Sequence, residues 1–267
     1  MHTNGSVNYI HLIGLLLAAF SLTLCSRSTS AQNNSQTPVQ AAIEVQRHRL
    51  SSSDPEERRD ALMILGSMRR PEASRVAMAG LSDVSPTVKA VAAKAILSVG
   101  SDESASALLP LLADKDEFVR REVAYALGLI RSRSATSALT GLLVSDKEDG
   151  VRAAAAVALG EIADEAAVVT LSSVISPDLK SKKREKNAFV IRAAARSLGQ
   201  IKSRAAVPAL VAALNNEKLD EDIRREAAQA LGQIGDPSAV PALRSAANSG
   251  DPYLAQAAVN SLKKIAP

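Results

Sequence analysis

Residue types that could carry acid–base, nucleophilic or metal chemistry are few and scattered. The chain has three histidines, His2, His11 and His48, and one cysteine, Cys25. A zinc site needs three or four convergent ligands, and a thiolate nucleophile needs a base beside it. His2, His11 and Cys25 all fall in an apolar N-terminal leader. The rest of the 267-residue chain has no cysteine and only His48, in the run Gln46-Arg47-His48-Arg49. That excludes a Cys-based zinc site, a multi-His metal site, a disulfide framework and a cysteine nucleophile outside the leader. Neither a glycine-rich phosphate loop nor a nucleophile-elbow pattern is present. The sequence therefore predicts no catalytic residue, no metal and no cofactor.

Basic residues at regular places are what the chain does offer, with a formal charge of +4. Arg58, Lys89, Arg120, Arg152 and Arg224 form one recurring column, and Asp83, Asp114 and Asp146 each lie six residues ahead of a base in it. An Asp–Arg ladder holding the turns between helices is the structural reading of that column. A second group is Arg121 with Tyr125, and Arg192, Arg196 and Arg225 with Gln200, Gln229 and Gln233. A third is the run SPDLKSKKREKNAF, residues 176–189, where Lys180, Lys182, Lys183, Arg184 and Lys186 face only Asp178 and Glu185. Tyr and Arg are over-represented at binding hot spots. The candidate partner-binding residues are therefore Arg121, Tyr125, Lys182, Lys183, Arg184, Lys186, Arg192, Arg196, Arg225 and Gln229. The competing reading of each group is an ordinary solvated surface.

The elements that must position these residues emerge from self-similarity. A reference column holds Gly66, Leu97, Gly128, Gly160, Gly199, Gly232 and Lys263, at spacings of 31, 31, 32, 39, 33 and 31. One residue earlier stand Leu65, Ile96, Leu127, Leu159, Leu198, Leu231 and Leu262. Five residues earlier stand Ala61, Ala92, Val123, Ala155, Ala194, Ala227 and Ala258, and two residues later Met68, Val99, Ile130, Ile162, Ile201, Ile234 and Ile265. Offsets of −5, −1 and +2 trace one face of an α-helix. A second apolar set, such as Leu108, Leu111 and Leu112, or Leu139, Leu142 and Leu143, or Leu210 and Leu214, marks a partner helix. The unit is a helical hairpin of about 31 residues, present seven times over residues 39–267. A lone hairpin cannot bury its apolar face, whereas a stack can. Small residues in the Ala and Gly columns let helices approach, which accounts for only 2% aromatics. The 39-residue spacing is the basic insertion, within the fifth hairpin. The expected fold class is an all-α, right-handed α-solenoid.

The leader bears on location. Residues 10–24, IHLIGLLLAAFSLTL, form an apolar block shorter than the ~20 residues that span a bilayer. Thr29-Ser30-Ala31 offers small residues for signal-peptide cleavage after Ala31. The run Leu22-Thr23-Leu24-Cys25 loosely resembles a lipobox, so lipidation at Cys25 and an uncleaved anchor stay open beside cleavage. All three export the chain, to the periplasm or beyond the cell. Residues 1–31 are thus the leader and 32–38 a polar linker.

The stretches EFVRREVAYALGLI, GVRAAAAVALGEI and DIRREAAQALGQIGDPSAVPAL resemble HEAT repeats, in particular the short subtype of phycobilisome-lyase-like proteins. That resemblance covers the chain after the leader. It implies that the second helix of each hairpin, with offsets −7, −3 and +1 outward, lines a concave binding surface. Phycobilin lyases and deoxyhypusine hydroxylase share such repeats. The hydroxylase's His–Glu metal ligands have no counterpart here, and the lyase setting is cytoplasmic. The expectation is an exported, non-catalytic scaffold that binds another protein. An anionic envelope polymer or lipid is the alternative partner, and export argues against nucleic acid. The oligomeric state is not legible.

Overall fold

The computed structural model describes residues 37–176 and 187–265. The leader and linker (1–36), and with them the cleavage and lipidation sites, lie outside the described residues. So does most of the basic insertion, with Lys182, Lys183, Arg184 and Lys186. Contacts divide the chain into Met1–Ala42 and Ile43–Pro267; of the first unit, residues 37–42 are described.

Among the described residues the fold is all helix and turn, in seven hairpins. The first pairs α1 (Pro38–Arg49) with α2 (Pro55–Ser67), and the second α3 (Pro71–Ala77) with α4 (Pro86–Ala95). The third pairs α5 (Ser101–Leu108) with α6 (Glu117–Leu129), and the fourth α7 (Thr136–Ser145) with α8 (Asp149–Ile162). The fifth pairs α9 (Val168–Ile175) with α10 (Ala188–Ile201), the sixth α11 (Val207–Asn215) with α12 (Glu221–Ile234), and the last α13 (Val240–Ala246) with α14 (Pro252–Ile265). The second helices pack on one another in chain order, from α2 through α14, more intimately than the first helices do.

Local chemistry sets the helix ends. Asp54, Asp116 and Asn187 cap α2, α6 and α10, accepting from Glu56 N, Phe118 N and Phe189 N at 2.9 Å each. Such caps satisfy N–H groups that lack intrahelical partners. At the other end the chain turns through left-handed backbone at Arg69, Arg131, Ala163, Lys202 and Gly235. Only the last of these is the residue type that this conformation favours.

Packing follows the columns. Every residue of the −5 column is fully buried, as is the −1 column from Leu65 to Leu231. Leu262, in the last hairpin, is half-buried. The +2 column is a rim rather than core: only Ile162 is buried. Of the first-helix set, Leu111 and Leu142 are half-buried and the others buried.

The glycine column has a steric cause. A Cβ on Gly128 would lie 2.8 Å from the Ala158 Cα, and one on Gly199 2.8 Å from the Ala230 Cα. Each glycine therefore seats the backbone of the next second helix. Where Leu97 takes that column, α4 stops at Ala95 and is 10 residues long, against 13 or 14 for the other second helices.

The aspartate ladder forms, with different pairing. Arg58 grips Asp83 through Nε and Nη2 at 2.7 and 2.8 Å, Lys89 bonds Asp114, and Arg120 grips Asp146 at 2.7 and 3.0 Å. Each base therefore reaches the aspartate of the following hairpin, not the one six residues ahead of it. The two arginines also bond a carbonyl of their own turn: Arg58 Nη1 donates to Ser52 O and Arg120 Nη1 to Asp114 O, at 2.9 Å each. Each aspartate also accepts from the turn N–H two residues on: Ser85, Asp116 and Glu148. The Arg58 hydrogen bond holds Asp83 below the usual carboxylate range. Burial pushes Asp114 and Asp146 up, but bonds from Lys89 and Arg120 and from the turns outweigh it, and both lie low. The fifth hairpin has Ile191 in the base column, and Arg224 of the sixth bonds the Leu214 carbonyl at 3.0 Å.

Candidate functional site

The outward residues of the second helices form rows that cross the stack. The row three residues before the reference column reads Met63, Lys94, Tyr125, Val157, Arg196, Gln229 and Asn260. Its centre is apolar, with Tyr125 and Val157 half-buried on α6 and α8. Leu129, one turn along α6 from Tyr125, is 61% exposed. Arg121, one turn back, lies over the Phe118 ring at 5.1 Å.

The flanks of that centre are basic. Lys94 Nζ lies 2.6 Å from Glu122, and Arg196 donates to both oxygens of Glu226 at 2.8 and 2.9 Å. In both pairs the acid is underneath: Lys94 and Arg196 are each 58% exposed, whereas Glu122 and Glu226 are 12% and 10%. Glu122 is also shared with Arg121, at 3.5 Å. Donation to Glu226 raises the Arg196 guanidinium above its ordinary value. Beside Leu129, Arg131 and Gln200 converge on Glu161 at 3.4 and 3.3 Å.

The arginines of the fifth and sixth hairpins are not a free cationic cluster. Arg192 stacks on Phe189 at 4.9 Å and reaches Asp222 at 3.4 Å. Arg225 lies over Tyr253 at 5.2 Å and contacts Asp222 and Asp251 at 3.0 and 3.8 Å. Gln229 is exposed. The structure thus brings Arg192, Arg196, Arg225 and Gln229 onto one face and Arg121 and Tyr125 together two hairpins earlier. Reasoning from sequence missed the acids at the −6 and −10 positions that engage these bases, and the aromatics Phe118, Phe189 and Tyr253. Their common signal was an aromatic ten residues before the reference column. Open grooves lie at these helix starts, about 580 Å³ around Phe189, Arg192 and Asp222 and about 350 Å³ around Arg121 and Asp149. Among the described residues no three His, Cys, Asp or Glu side chains gather to hold a metal ion. None of the described helices is long and apolar enough to cross a membrane.

Comparison with known proteins agrees with the architecture. Residues 43–127, 109–185 and 177–263 match the family model described as HEAT repeats. No curated protein matches the sequence significantly. Among solved structures, the Escherichia coli protein YibA is similar at 19% identity over 98% of this chain and 99% of its own, with a TM-score of 0.56. The complex of CpcE and CpcF of phycocyanin lyase from a Nostoc species is similar at 24% identity over 88% of this chain and 90% of that one, TM-score 0.51. An engineered protein aligns at 24% identity over 84% and 68%, TM-score 0.52. At these identities the likeness is one of fold.

Proposed function

The chain belongs to the HEAT-repeat family, and on that premise we propose that it is a non-catalytic scaffold that binds another protein through the face of its second helices. The observation that carries this is the centre of that face. Leu129 is 61% exposed beside half-buried Tyr125 and Val157, with Arg121 stacked at its edge. Around it the −5 and −1 residues of α6 and α8, Val123, Leu127, Ala155 and Leu159, are fully buried, so the stack has no packing use for an outward leucine. Large apolar side chains grouped on a rigid surface and rimmed by charge fit a protein interface. Export rests on the leader, whose apolar block and following small residues have the pattern of a secretion signal. The complex of CpcE and CpcF supports the reading to the extent that a similar fold occurs there in a protein assembly.

The test compares the protein with Leu129→Glu and Tyr125→Ala as baits against the envelope fraction of its own cells. A partner retained by the first and lost from both variants, at unchanged helix content, is the expected result. Identical retention by all three places binding elsewhere. Fractionation of those cells checks export: recovery from the cytoplasm alone would end that part of the proposal.

A further inference from the structure

We propose that the occupant of this face is an acidic segment of a partner protein, with an apolar side chain between two carboxylates. The inference rests on the protein-binding reading above and adds the partner's chemistry. Along the −3 row, Lys94, Tyr125, Val157 and Arg196 occupy four consecutive second helices, so two cations bracket an apolar pair.

Both cations are held from below. Glu122 and Glu226 are nearly covered, and the bases that cap them are 58% exposed. The partner would meet the donors and not the acids. Glu226 takes the Nε and Nη2 donors of Arg196, and the guanidinium has five N–H groups in all, so Nη1 stays available to a further carboxylate. Lys94 has three donors, and Glu122 serves both it and Arg121, two bases on one acid. Side chains already fixed by a carboxylate lose less freedom when a ligand binds than free ones do. The one acid at the apolar centre, Glu161, is engaged by Arg131 and Gln200.

Spacing makes the proposal specific. Packed helices stand about 8–10 Å apart, so Lys94 and Arg196, three steps apart, are separated by roughly 24–30 Å. An extended chain advances about 3.3 Å per residue, which sets the two acids about eight residues apart. The apolar side chain between them would lie on Tyr125, Val157 and Leu129.

The experiment is selection of peptides from a random display library on the full chain, followed by affinity measurement with the enriched peptides, labelled. Acid-rich sequences with a central Leu, Ile or Phe should be enriched. Binding should fall at least tenfold with Leu129→Glu. The double variant Lys94→Gln/Arg196→Gln should also weaken binding tenfold or more and flatten its salt dependence. Both substituted head groups face solvent, and circular dichroism verifies the fold. Acidic peptides indifferent to Lys94 and Arg196 would overturn the inference. Neutral or basic peptides that still need Leu129 would overturn it while leaving the protein-binding reading intact. If no enriched peptide depends on Leu129, both fall. Heparin binding as tightly as the peptides, and unaffected by Leu129→Glu, would assign the cations to a polyanion instead.

Discussion

A single aspartate in the ladder does two jobs, and both depend on its charge. Asp146 is gripped by Arg120 in a pair whose side chains are 6% and 8% exposed, while it holds the turn N–H of Glu148. Removing one partner of a buried pair leaves the other uncompensated, so Asp146→Ala should cost ~3–5 kcal/mol in a urea titration. A cost under 1 kcal/mol would show that Arg120 finds other partners. The ladder also fixes the pH response. Asp83, Asp114 and Asp146 are lowered in the folded state. Their contribution is complete above the unfolded aspartate pKa, near ~3.9, and is lost as pH falls through the lower folded values. The urea midpoint should hold from pH 7 to about 5 and drop below about 4, less steeply in Asp146→Asn. A midpoint unchanged at pH 3 would contradict this. The residues of the ladder were legible in the sequence, but their pairing was not. Counting along the chain puts Asp114 six residues from Arg120, whereas packing of adjacent hairpins brings Asp146, 26 residues away, to the guanidinium. The same blindness to lateral neighbours hid Glu122 and Glu226, so Arg196 read as a free cation.

For the helix, the glycine column was legible and the helix ends were not. Gly66, Gly128 and Gly199 share a position because the next backbone passes within a Cβ radius. Gly128→Ala should therefore cost about 1–3 kcal/mol, as overpacking does, although alanine is the better helix former. Stabilisation by that change would disprove the close approach. Left-handed closure at Arg69, Arg131, Ala163 and Lys202 carries no glycine to announce it. A non-glycine residue held there is strained by about 1–2 kcal/mol. Ala163→Gly should raise the thermal midpoint, by relief of up to about 1 kcal/mol net of the added freedom of the unfolded chain. A lowered midpoint would mean that the methyl group packs usefully. The apolar columns predicted which helix face is buried, while the +2 column proved to be rim because the helices end beside it.

The stability of a stack is close to a sum over neighbouring interfaces, so the weakest one decides where the molecule opens. The basic insertion does not interrupt the row of second helices. Across it, Ser197 Oγ donates to the Ala156 carbonyl at 2.8 Å, and α10 packs on α8 as closely as α8 packs on α6. The weaker junction lies between α4 and α6. There the glycine is replaced by Leu97, α4 ends at Ala95, and no glycine of the second hairpin seats the backbone of the third. What remains there is the packing of buried Ala92, Ile96 and Val123, with the pairs Lys89–Asp114 and Lys94–Glu122, which use a lysine rather than a forked arginine. Opening there should release the first two hairpins together from the five that follow. Native-state hydrogen exchange should then show the amides of α2 and α4 exchanging as one group, with less protection than those of α6, α8, α10 and α12. Because the nearly buried Lys89–Asp114 pair crosses this junction, Lys89→Ala should lower protection in α2 and α4 and leave α10 and α12 unchanged. Equal protection along the row, or first opening at α8–α10, would show that the missing glycine does not set the order.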